Sequence, residues 1–148
     1  MKRYPLKLES VNHDILWGGT LLSEQYGKPA GKIAEAWELT VHPQGINRIL
    51  NGEYRGMLLS EYLGSDTDFP LMFKLIDACD RLSVQVHPDD EYSGKHENKL
   101  GKTEAWVILS AEEGASILYG IEDGVSIDQL GRALTAGEDI EPMIHRVP

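Results

Sequence analysis

This sequence has one cysteine, two phenylalanines and fewer basic than acidic residues, and each shortage excludes something. A lone Cys79 rules out an intrachain disulfide and makes an intracellular setting the default. Its neighbours Leu75 and Ala78 predict a buried, inert thiol rather than a nucleophile. Fourteen Lys and Arg against 24 Asp and Glu leave a net charge of -10, which argues against nucleic acid as a partner, since that needs a basic patch. The same field opposes any anionic ligand, so an anion would have to be held by a few local cations. No apolar run approaches the ~20 residues that cross a bilayer, so no membrane partner is expected. Lys2 and Arg3 are followed by no apolar core and do not make a secretory signal. A phosphate loop is missing too: Gly18-Gly19 lacks both the Lys-Ser/Thr continuation and the dinucleotide-binding spacing. No internal repeat, low-complexity tract or domain linker is evident.

What is present suits one domain of 148 residues, 41% hydrophobic, with a real core. Its most informative stretch runs from Pro70 to Val107. Leu82 to His87 alternates Leu82, Val84 and Val86 with Ser83, Gln85 and His87, the pattern of a strand buried on one face. Gln85 and His87 then point the same way. A second strand-like run, Thr103 to Leu109, opens with Glu104. If both line one cavity, an amide oxygen, an imidazole nitrogen and a carboxylate oxygen meet there, a plausible first set of donors for zinc or another divalent ion. The plainer reading of His87-Pro88-Asp89-Asp90 is a surface turn.

Elsewhere the chain reads as short strands punctuated by turns. Strands are predicted over Pro5–Glu9, Ile33–His42 and Ile46–Leu50. Short helices are predicted over Leu21–Tyr26 (N-cap Thr20, stop Gly27), Met57–Leu63 (stop Gly64) and Ile127–Leu134 (N-cap Ser126). Ser65–Asp68 reads as an acidic loop. Thr103–Ser110 and Ser116–Gly120 should form a hairpin turned by Glu112-Glu113-Gly114, and Ile140–Pro148 should begin another strand. Trp17-Gly18-Gly19 is a tight turn, with the indole either in the core or at a cavity edge. Glu35 faces inward on its strand together with Trp37, and must be paired or functional. Lys74 sits inside the apolar run Phe69–Ala78, either partnered or with its stem packed and its ammonium in water. Many short strands with small helices favour a β-sandwich or barrel.

Four segments in order, LWGG, AEAWELTVHP, PLMFKLIDACDRLSVQVHPDD and GKTEAW, resemble a short bacterial type I phosphomannose isomerase (mannose-6-phosphate isomerase), over nearly the whole chain. The resemblance implies a mainly β, cupin-like jelly roll, a bound Zn2+, and interconversion of mannose 6-phosphate and fructose 6-phosphate. It places Gln85, His87 and Glu104 at zinc-ligand positions and Lys102 beside the metal as the catalytic lysine. Trp17, Glu35, Lys74 and Ser83 fall at positions lining the substrate cavity. It also marks a departure. A further zinc-binding His, in a Pro-Ala-Gly-x-x-His segment, and a later catalytic Arg would both follow the terminal HRVP; His145 is not that His. The chain is therefore expected to be the N-terminal half of a longer catalytic domain. The general base stays open among Glu35, Lys102 and a metal-bound water. The alternatives are a non-catalytic cupin module binding metal or sugar phosphate, paired as a homodimer through open strand edges, and an iron-dependent dioxygenase. The latter would need two histidines where one is well placed.

Overall fold

The computed structural model of the chain describes residues 4–64 and 69–148; the acidic loop expected over residues 65–68 lies outside them. The chain divides into two compact units, residues 1–83 and 84–148. In chain order the first carries β1 (Leu8–Glu9), β2 (Val11–His13), α1 (Leu21–Gln25), β3 (Glu35–Leu39), β4 (Val41–His42), β5 (Gly45–Ile46), β6 (Arg48–Ile49), α2 (Leu59–Leu63) and β7 (Phe73–Ile76). The second carries α3 (Asp90–His96), β8 (Ile117–Ile121), α4 (Ile127–Ala136) and β9 (Ile144–Val147). The architecture is the expected one, short strands with small helices, and no closed barrel forms among the described strands. No helix among the described residues is long and apolar enough to cross a membrane.

The first unit is organised on the antiparallel sheet β2-β3-β7. Its register sets His13 opposite Glu35, Glu35 opposite Ile76, and Trp37 opposite Lys74. Leu22, Ile33 and the fully buried Ala36 make a small core, with Leu75 packed against it. Burying a side chain such as Leu22 or Ile33 contributes about 1.5–3 kcal/mol.

Two buried polar side chains shape the strands around this sheet. Asn47 is fully buried; its Oδ1 accepts from Thr40 N at 2.5 Å, and its Nδ2 donates to Glu9 O at 2.8 Å and Trp37 O at 2.9 Å. It replaces ladder bonds with its own amide. That is why the single strand expected over Ile46–Leu50 is two, β5 pairing with β4 and β6 with β1. Asp77 is also buried, and its Oδ2 accepts from Leu21 N at 2.7 Å. The first turn of α1 is thus held by a distant carboxylate. Thr20 occupies the N-cap position without a side-chain bond. Gly19 has no room for a Cβ, which would lie 2.3 Å from Cys79 Sγ and 2.5 Å from Asp77 Oδ2. Cys79 itself is exposed, not buried: the turn after β7 carries it outward, whatever its apolar neighbours suggest.

In the second unit α3 is capped by Asp89, whose side chain accepts from Tyr92 N at 2.8 Å. α4 begins on a Ser126–Gln129 capping box and ends at Gly137, in the left-handed conformation. β8 pairs with β9, Ile117 opposite Val147, and α4 lies in the connection between them. The expected hairpin with Thr103–Ser110 is therefore not formed. Neither Leu82–His87 nor Thr103–Leu109 joins a ladder among the described residues. The period-two pattern is present, but the apolar row has no covering face: Val86 is 90% and Val107 82% exposed.

Candidate active site

The second unit brings together His87, Lys102, Glu104 and Trp106. A close backbone approach does this. Gly101 lies so near residues 88–90 that a Cβ there would stand 2.5 Å from the Asp89 carbonyl carbon and 2.6 Å from Pro88 O. Gly101 N donates to Asp90 Oδ1 at 2.8 Å, and Lys102 N donates to Pro88 O at 3.1 Å. Glycine is the residue that permits this contact. The Gly-Lys-Thr-Glu segment is thereby tied to the residues that follow His87.

The side chains converge on one carboxylate. Glu104 Oε2 lies 2.6 Å from Lys102 Nζ and 3.2 Å from His87 Nε2. Lys102 Nζ is also 3.2 Å from His87 Nε2. On the other oxygen, Trp106 Nε1 donates to Glu104 Oε1 at 2.6 Å. The Lys102 hydrogen bond is the main cause holding the Glu104 carboxyl below its usual range. Burial opposes it, while the Trp106 bond and the charges of Lys102 and His87 reinforce it. A cation thus sits against an imidazole nitrogen and a carboxylate oxygen at once. That donor set fits a divalent metal: the lysine ammonium stands within 3.2 Å of an imidazole nitrogen and a carboxylate oxygen, atoms of the kind such an ion takes. Gln85 lies two residues before His87 on the same exposed segment. Among the described residues no three His, Cys, Asp or Glu side chains gather.

The first unit builds a second cluster around Glu35. Lys74 Nζ donates to Glu35 Oε2 at 2.9 Å, and Trp37 Nε1 donates to the same oxygen at 2.6 Å. Lys74 Nζ stands 4.8 Å from the Trp37 ring centroid, as the cross-strand register dictates. His13 packs on the same indole at 4.2 Å between centroids. Burial raises the Glu35 carboxyl, but the Trp37 and Lys74 hydrogen bonds with the Lys74 and His13 charges outweigh it, so it titrates below the ordinary value. Lys74 is therefore partnered, the first of its two sequence readings. Trp17 is half-buried, its carbonyl accepting from Cys79 N at 2.8 Å, and Ser83 is exposed.

Residues 6–105 match the catalytic domain of type I phosphomannose isomerase. The chain belongs to that family. It is 39% identical over 97% of its length to the mannose-6-phosphate isomerase of Streptococcus mutans, covering 48% of that protein. It is 38% identical over 93% of its length to mannose-6-phosphate isomerase ManA of Bacillus subtilis, covering 47% of it. The crystal structure of mannose 6-phosphate isomerase from Bacillus subtilis superposes with a TM-score of 0.84 at 36% identity, over 98% of this chain and 49% of that one. The fold is accordingly the cupin-like one expected. The chain spans about half the length of the curated relatives it matches.

Besides His13, two residues of these clusters escaped the sequence reading, Trp37 as a carboxylate donor and Trp106 altogether. Their signal was available. The tripeptide Glu-Ala-Trp occurs twice, at residues 35–37 and 104–106, each time with the glutamate already suspected.

Proposed function

We propose that this chain carries the metal-binding part of a zinc-dependent aldose–ketose isomerase that interconverts mannose 6-phosphate and fructose 6-phosphate through an enediol. Family membership gives the reaction class. The convergence of His87, Lys102 and Glu104 on one point is the observation that carries the reading. A bound zinc would stabilise the negative charge that develops on the sugar oxygens. In this reading Gln85, His87 and Glu104 hold the metal. Lys102, whose ammonium already reaches two of their acceptors, holds a sugar oxygen or moves a proton beside it. Lys74 and Ser83 contact the phosphate or the sugar hydroxyls, and Trp17 and Glu35 line the cavity. The general base is open among Glu35, Lys102 and a metal-bound water. The partner is a small sugar phosphate, with neither nucleic acid nor membrane, in the cytoplasm. In this reading residues 1–148 belong to a single cupin-like catalytic domain.

A second reading, a metal- or sugar-phosphate-binding module without turnover, draws on the exposed Val84, Val86, Val107, Ile108 and Leu109. Uncovered strand-like runs of this kind pair with other strands and favour a homodimer. Zinc per chain after dialysis, measured by elemental analysis beside an isomerase assay, separates the readings. About one zinc with turnover supports the isomerase; zinc or sugar phosphate bound without turnover supports the module; no zinc removes the metal site. Lys102→Met is expected to keep the zinc and lower turnover, and normal turnover in that variant would make the lysine structural.

A further inference from the structure

The same local device is built twice, in different surroundings. In β3 the Trp37 indole reaches back to Glu35 at 2.6 Å; in the unpaired segment after Gly101 the Trp106 indole reaches back to Glu104 at the same 2.6 Å. One tripeptide lies in a sheet and the other in no ladder, so the contact belongs to the tripeptide itself. Residues i and i+2 of an extended chain share a face, and an indole is long enough to place its N–H on the carboxylate two residues earlier. The two copies differ in where the second donor binds. Glu35 receives both the indole and the lysine on Oε2. Glu104 receives the indole on Oε1, while Lys102 and His87 stand at Oε2.

We infer that Trp106 is the positioning residue of the metal site: by occupying Oε1 it fixes the rotation of the Glu104 carboxylate and presents Oε2 alone toward His87. This rests on the metal reading above. A carboxylate pinned on one oxygen loses less freedom on binding an ion, and partners of this kind are worth about 10–100-fold in metal affinity. Trp106 is 42% exposed, so its packing is partial and a phenyl ring can retain most of it.

The test uses the full chain, with Zn2+ affinity measured by competition against a chromophoric chelator for the parent and Trp106→Phe, and with far-UV circular dichroism as a check on folding. The phenyl ring keeps most of the apolar contact and removes the N–H. Hydrogen exchange of the Trp106 indole proton is followed in zinc-loaded, 15N-indole-labelled parent. Expected are a loss of about 10–100-fold in affinity for Trp106→Phe with unchanged dichroism, and a protected indole proton in the loaded parent. Equal affinity in the two proteins, or an indole proton that exchanges as freely as one in water, overturns the inference and leaves the metal reading standing. A parent chain that takes no zinc removes both.

Discussion

Replacing Lys74 by methionine is the sharpest probe of the first-unit cluster. The substitution removes the 2.9 Å bond to Glu35 Oε2 and the cation 4.8 Å from the Trp37 ring, and keeps most of the aliphatic stem. A hydrogen bond to a charged group contributes about 1.5–3 kcal/mol when well shielded. A cation over an exposed ring adds about 0.5–1 kcal/mol, and fully exposed ion pairs fall to below about 1 kcal/mol. The two side chains here are 25% and 16% exposed, so solvent screens the pair in part. The expected coupling between Lys74 and Glu35 is about 1–2 kcal/mol. It is read from urea unfolding of the parent, Lys74→Met, Glu35→Gln and the double variant at neutral pH. The pH dependence fixes the sign. Glu35 titrates lower in the folded chain than an ordinary carboxylate, so the folded state favours the charged form. Its contribution is complete above the unfolded value of about 4.3 and is lost as pH falls through the lower folded value. The coupling should therefore shrink in the same cycle run near pH 3, roughly one unit below that unfolded value. A neutral-pH coupling under about 0.3 kcal/mol, the additivity limit of independent sites, would refute the reasoning. So would a coupling that survives acidification undiminished.

Asn47→Ala leaves Thr40 N, Glu9 O and Trp37 O without their side-chain partner inside the first unit. We expect a loss of about 2–4 kcal/mol in urea unfolding, and a change within about 0.5 kcal/mol would contradict the replacement of ladder bonds by this amide. Gly19→Ala drives a Cβ into Cys79 Sγ and Asp77 Oδ2, so the carboxylate that holds the start of α1 must shift. A destabilisation of about 1–3 kcal/mol should appear as a lower Tm; an unchanged Tm would mean that the turn relaxes freely.

Much of the first unit was legible because its signals are local. Gly64 stops α2 in the left-handed conformation, as a residue without a Cβ does most readily. The inward Glu35 and the lysine in the apolar run turned out to be each other's partners, which a strand pattern can suggest but a register must decide. The break at Asn47 was not legible: an amide that substitutes for ladder bonds leaves no trace in hydrophobic periodicity. The alternation over Leu82–His87 has the pattern of a strand, yet a strand also requires a neighbour, and periodicity says nothing about which segment supplies it. The juxtaposition of His87 with Glu104 was anticipated from two strands lining one cavity, although neither run joins a ladder among the described residues. The close approach at Gly101 that produces it was not, because it depends on backbone atoms distant in sequence. Cys79 was misplaced for a related reason: burial follows the path of the chain after β7, not the polarity of the adjacent residues.

The indole–carboxylate contacts give the protein a built-in optical gauge. The chain has three tryptophans, Trp17, Trp37 and Trp106, and the last two each donate a hydrogen bond to a candidate site carboxylate. Indole emission responds to charge placed beside its N–H. Excited selectively over the six tyrosines, the chain emits from three indoles, two of which are bonded to these carboxylates. Ligand arriving at either carboxylate can be followed without a label. The two clusters can be watched separately by converting one tryptophan at a time to phenylalanine.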